Sequence, residues 1–269
     1  MISDDRGSLL LSLRKGCISM SEKKVSPLFR FLKWCVRTVY PKIKVVGEEK
    51  IPHEPCLIVA NHCQMHGPIA AELYTPGPHD IWCAHQMMQL KEVPAYAYQD
   101  FWGGKPKGIR WLYKIASYTI APLCVVVFNG ANTIAVYRDS RIINTFKNTV
   151  KSLSEGKNVV VFPEHLEKHN HIVYDFQDKF IDIARLYYKK TGKELCFLPM
   201  YIAPSRKEMH FGAPTRFSTE TPIDEERRRI CEYLMDEITR VAEALPEHRV
   251  VPYENLPKKL HPSNKEVKP

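Results

Sequence analysis

The sequence contains eight cysteines but no Cys-x-x-Cys pair, which excludes a zinc ribbon and a thioredoxin-type redox motif. They stand at positions 17, 35, 56, 63, 83, 124, 196 and 231, several inside apolar runs, and so predict buried, reduced thiols in a cytoplasmic setting rather than a disulfide frame. No uncharged run reaches the roughly 18 to 20 residues that a spanning helix needs. Leu9-Leu10-Leu11 is too short for a signal-peptide core and follows acidic residues, so residues 1–25 are expected to be an unstructured leader, with Met20 as an alternative start. The Gly-Gly-Lys-Pro-Lys-Gly loop at 103–108 lacks the spacing of a phosphate-cradling loop and reads as a basic turn.

What is present is an ordinary globular composition, 44% hydrophobic and 26% charged, with a net charge of +9. That charge suits nucleic acid, an anionic membrane surface or a phosphorylated substrate. No nucleic-acid motif accompanies it, so no nucleic-acid partner is expected. Ser26-Pro27 opens a helix over 26–42, with Leu28, Phe31, Leu32, Cys35, Val36 and Val39 at helical spacing and Arg30, Lys33 and Arg37 on the other side. Phe29, Trp34 and Tyr40 flank the stripe. Such a basic amphipathic helix lies in a bilayer surface or docks on a core.

From residue 43 to 246, short apolar strands alternate with helices, which predicts one α/β domain with a mostly parallel central sheet flanked by helices. Leu57 to Ala60 is a buried strand ending on Asn61-His62. Val159 to Phe162 is another, ending on Pro163-Glu164, and Thr133 to Arg138 a third. Sites in open α/β sheets gather at strand carboxyl ends, so His62 is the candidate general base and Glu164 its neighbour. Residues 85–128 read as the least regular part, with an apolar stretch from Ile115 to Phe128 broken by Pro122 and too short to span. Its methionine and aromatic clusters suit a core or a slot for an acyl chain. Thr221-Pro222-Ile223-Asp224 predicts a capping box, and 247–269 a tail, frayed from Pro257.

Asn61-His62, Ile134-x-Val136-x-Arg138, Phe162-Pro163-Glu164 and Leu198-Pro199-Met200-Tyr201-Ile202 resemble, in that order, the four motifs of the glycerolipid acyltransferases, among them lysophosphatidic acid acyltransferase. The resemblance covers roughly residues 43 to 246. It implies transfer of a fatty acyl group from acyl-carrier protein or acyl-coenzyme A to a hydroxyl of a lysophospholipid or related glycerolipid, with no cofactor. It also implies a peripheral protein on the cytoplasmic face of a membrane. On this reading His62 and Glu164 are catalytic, and Asn61, His66, Gly67, Arg138, Pro163, His165 and Lys168 bind substrate. Amides around Gly67 are expected to hold the oxyanion, and Arg138 with Lys168 to attract an acidic head group.

The sequence departs from the family's pattern at three positions. Gly67 stands where an aspartate five residues after the histidine orients the imidazole, Glu167 where an arginine binds phosphate, and Asn132 where a glycine is usual. Either another group orients His62, with Glu72, Asp80, Glu164 and His66 as candidates, or the fold persists as a lipid-binding or partner protein. Two further readings use the same stretch. His62-x-x-x-His66 has the histidine spacing of zinc peptidases, although Gly67-Pro68 opposes the helix they need, and Cys63 is a conceivable nucleophile.

Overall fold

The computed structural model describes residues 26–102 and 107–266, so the expected leader lies outside it. Its centre is the strand Cys56–Ala60 (β2), buried at every residue. Asn158–Val161 (β5) and Cys196–Ala203 (β6) flank it, both parallel, with Leu57 opposite Val159 and Phe197. His79–Ala84 (β3) and Thr133–Val136 (β4) extend the sheet in parallel beyond β5. On the other side Glu208–Phe211 (β7) runs antiparallel to β6, and Lys44–Val46 (β1) pairs parallel with β7. Thr215–Arg216 (β8) adds a short antiparallel rung to β6. The sheet is mostly parallel, and the carboxyl ends of β2, β3, β4, β5 and β6 share one edge.

Side chains alternate across each strand with a period of two, and both faces are covered. Leu57 and Val59 face a core built with Ile142–Ser154 (α5), Ile183–Thr191 (α6) and Ile223–Ala244 (α7). Ile58 and Ala60 face the opposite core, against Ala70 and Ala71 of His66–Tyr74 (α2). Full burial on both faces explains the near-continuous hydrophobic runs that betray parallel strands in the sequence. The capping box at 221–224 does not form. Pro222 is itself the N-cap and makes no side-chain cap bond, while Asp224, Glu225 and Glu226 supply negative charge to the first turn.

Two segments differ from expectation in their helices. Residues 85–128 are largely regular: Val93–Trp102 (α3) and Arg110–Gly130 (α4) are α-helices, and α4 runs through Pro122. At 21 residues α4 is long and apolar enough to cross a membrane by length and composition. The expected break at Pro122 fails because one lost amide bond does not outweigh a long helix packed on α3, where Met87, Val93, Ala97 and Ala121 form a small core. The second difference is Pro27–Val39 (α1), capped by the Ser26 hydroxyl accepting from the Phe29 amide at 3.1 Å. Phe29, expected at the flank, is its buried residue, whereas Leu28, Phe31, Val36 and Val39 of the apolar stripe are exposed. Gly130 makes this possible, since a Cβ there would stand 2.5 Å from the Phe29 ring.

Residues 247–266 are not frayed. After α7 the chain returns across the carboxyl edge as a strap over residues 247–266. Asn264, fully buried, donates from Nδ2 to the Ala242 carbonyl at 2.8 Å and accepts at Oδ1 from the His248 amide at 2.8 Å, closing the C-terminus of α7. The Val250 amide donates to Pro262 at 2.9 Å. His248 Nδ1 donates to the Pro246 carbonyl, leaving Nε2 to accept from the Tyr201 hydroxyl at 2.8 Å. Lysine and proline content had suggested a loose tail, but these internal bonds depend on a few asparagine and histidine side chains that composition averages away.

Candidate active site

β2 ends where a side chain replaces backbone pairing. Asn61, buried, donates from Nδ2 to the Ile202 carbonyl at 3.0 Å and accepts from the Ile202 amide at 2.7 Å, adding one rung of the β2–β6 ladder. The backbone is thereby freed to turn. Cys63 and Gln64 follow with φ of 49° and 56°, left-handed values that non-glycine residues adopt rarely and mostly at functional sites. This turn presents His62 at the sheet edge and folds the chain back so that the Gly67 amide donates to the His62 carbonyl at 3.1 Å. A Cβ at position 67 would lie 2.2 Å from that carbonyl oxygen. Glycine is therefore required here, and the expected orienting aspartate has no room on this backbone.

Glu164 arrives from the adjacent strand β5 and is buried. Its Oε1 accepts from the His62 backbone amide and its Oε2 from the Tyr174 amide at 3.0 Å. The residues between fold back as a hairpin: Glu164 bridges Phe176, the His165 amide donates to Asp175, and the Gln177 amide to the Pro163 carbonyl. Burial pushes the Glu164 carboxyl up to about 7, against the pull of the two amides. The same cause pushes His62 down to about 4, partly opposed by the carbonyls of Gln64 and of His62 itself. The imidazole is thus neutral near pH 7, the form a base requires.

The candidates for orienting the ring are all committed elsewhere. Glu72 pairs with Lys33 at 2.7 Å, and Asp80 accepts from Ser152. Glu164 holds the His62 backbone rather than its ring, and His66 Nδ1 lies 3.3 Å from the Tyr40 hydroxyl. Nδ1 of His62 is buried with no hydrogen-bond partner among the described residues. Aromatic rings enclose it instead, with Phe162 edge-on at 5.3 Å between centroids and Tyr253 of the strap at 4.7 Å. Tyr174 stands 6.3 Å from Tyr253. Sequence reasoning did not single out Tyr174 or Tyr253, and no spacing motif links either to His62.

Other site residues scatter. Arg138, exposed after β4, is separated from β2 by β5 and β3, about 14 Å at the usual strand spacing. His165 and Lys168 are exposed on the hairpin, and Lys168 borders a cleft of about 730 Å³ against the strap. Of the amides around Gly67 expected to hold the oxyanion, that of Gly67 itself donates to the His62 carbonyl. Cys63 is buried, accepts from Asn61 Nδ2 at 2.8 Å, and is pushed well up by burial, which disfavours the thiolate a nucleophile needs. His62 precedes α2 and His66 begins it, so the two do not share a helical face as zinc-peptidase ligands do. Among the described residues no cluster of three or more potential ligands is placed to hold a metal ion.

The sequence matches no family profile and no curated protein. Among solved structures it is similar to the crystal structure of the 1-acyl-sn-glycerophosphate (LPA) acyltransferase PlsC from Thermotoga maritima. That similarity covers 87% of this chain and 88% of that one at 14% identity, with a TM-score of 0.44.

Proposed function

We propose that the protein is a peripheral membrane acyltransferase. It moves a fatty acyl group from acyl-carrier protein or acyl-coenzyme A to a hydroxyl of a lysophospholipid or related glycerolipid. The observation that carries this reading is His62 at the carboxyl end of the central strand, tied through its backbone to Glu164 just beyond the end of β5. An alcohol is a poor nucleophile until a base removes its proton, and neutral His62 is that base. Its Nδ1 is buried, so Nε2 is the nitrogen that meets the acceptor hydroxyl. As the acceptor oxygen attacks the thioester carbonyl, its proton passes to Nε2; the thiol of the donor then leaves with that proton. Glu164 holds the turn that aims the ring. Arg138 and Lys168 draw an acidic head group to the sheet edge.

The membrane assignment rests on α1 and α4. Trp34 at 61% exposure, Trp111 at 65% and Tyr118 at 62% are large rings open to solvent, joined by Phe31, Val39, Leu112 and Ile115. The two helices pack on each other through Phe29 and Gly130. An apolar surface of this kind, with Arg30, Arg37, Arg110 and Lys114 on the same helices, suits the interface of an anionic bilayer on the cytoplasmic side.

The test is a transfer assay on anionic vesicles with both donor classes, lysophosphatidate and neutral monoacylglycerol as acceptors, and His62→Ala in parallel. Turnover by the wild type that the variant loses supports the reading. Vesicle binding without turnover, equal in both proteins, would instead leave a lipid-binding form of the fold.

A further inference from the structure

The geometry points to Tyr253 as the positioning residue that holds the His62 imidazole in place of a carboxylate; its catalytic consequence rests on the acyltransferase reading above. A histidine side chain has two soft torsions, and a hydrogen bond from Nδ1 to an acid normally fixes the second. Here Nδ1 has no partner among the described residues and residue 67 admits no side chain. What fixes the ring is contact on two sides. Tyr253 packs at 4.7 Å with 49° between planes, and Phe162 at 5.3 Å with 60°. The two aromatic neighbours thereby oppose rotation of the imidazole.

Tyr253 can do this only if it is itself held, and the strap supplies the hold. Tyr174 braces it at 6.3 Å, edge to face. The next residue, Glu254, accepts at its carbonyl from Gln64 Nε2 at 2.8 Å, so the strap is bonded to the turn that carries His62. On either side of that contact the strap is pinned by the Val250–Pro262 bond and by buried Asn264. Gly67 and Tyr253 thus form a matched pair: the close backbone approach that expels the acid leaves Nδ1 without a partner among the described residues, and the strap packs on the ring. The ionisable groups on the elements packed around the ring are Cys63 in its own turn, Glu164 and Tyr174 in the hairpin, and Tyr253 and Glu254 in the strap.

The experiment is an NMR titration of the His62 imidazole in the isotopically labelled full chain, combined with transfer kinetics on vesicles. Tyr253→Ala is expected to shift the His62 midpoint upward toward ordinary imidazole values. It should also lower kcat about tenfold to hundredfold with KM little changed, as misplacement of a reacting group does. Tyr253→Phe keeps the ring and retains both. Tyr253→Leu preserves strap volume without an aromatic ring, and it follows Tyr253→Ala if the ring is what matters. A His62 midpoint and kcat that do not move in the alanine and leucine variants would overturn the assignment, as would a phenylalanine variant as impaired as alanine. If the midpoint shifts while the wild type turns over no acceptor, the positioning role stands and the acyltransferase reading fails.

Discussion

The two longest helices among the described residues are nearly equal in length and opposite in environment. α7, 22 residues long, buries Ile230, Leu234 and Ile238 completely against the sheet and pairs its buried Glu226 and Glu237 with the more exposed Arg229 and Arg240. α4, 21 residues long, is the more apolar and yet buries only Ser117 and Ala121, leaving Trp111, Leu112, Ile115, Tyr118 and Leu123 in the open. Apolar content alone therefore does not decide burial. A stripe with polar flanks matches a flat sheet, whereas a helix apolar on most sides is of the kind that a larger core or a membrane covers. The same contrast separates the sheet edge around His62, where backbone and side-chain groups are largely paired, from the α1–α4 surface.

The largest test of that contrast is Leu234→Ala, expected to lower unfolding free energy by about 2–5 kcal/mol in urea denaturation, because the cavity opens inside the main core. Asn264→Ala comes next. It leaves the His248 amide and the last carbonyls of α7 without their partner, a loss of about 1–3 kcal/mol by the same measurement. A smaller and signed effect concerns pH. Glu164, raised from 4.5 to about 7, contributes stability that is present below pH 4.5 and lost as pH rises to 7. His62, lowered from 6.5 to about 4, contributes stability present above pH 6.5 and lost as pH falls to 4. The two trends oppose each other between pH 4.5 and 6.5. Glu164→Gln removes one of them, so its stability should climb more steeply with pH across that window than the wild type's; an unchanged slope would mean that the pair does not titrate as described.

The smallest stability effect belongs to α4. Trp111→Ala combined with Leu112→Ala should change unfolding by no more than about 0.5 kcal/mol, as exposed substitutions do. The same variant should nonetheless bind anionic vesicles about tenfold more weakly in a sedimentation assay. A double variant that destabilises as much as Leu234→Ala would make α4 a core helix and erase the contrast.

The parallel sheet was legible in the sequence because burial on both faces writes itself as Leu57-Ile58-Val59-Ala60 and Val159-Val160-Val161, runs that few other structures require. His62 and Glu164 followed from the same logic, as polar residues at the ends of those runs. What escaped was non-local or conformational. The role of Gly67 depends on a turn through two left-handed residues, and nothing in Cys63-Gln64 announces that geometry. The outward stripe of α1 has the same periodicity as an inward one, since spacing defines a face without saying what covers it. Tyr253 lies in a proline-rich segment whose contact with the His62 turn has no local signature.

That contact also orders events in time. The Gln64–Glu254 hydrogen bond spans 190 residues, and β2 itself waits for β5 and β6 before it has a neighbour on either side. During synthesis the chain therefore carries its histidine long before the segment that encloses it exists, and closing a loop of that length is entropically slow to reward. A chain shortened before residue 247 would lack the strap, and with it the ring that packs on His62.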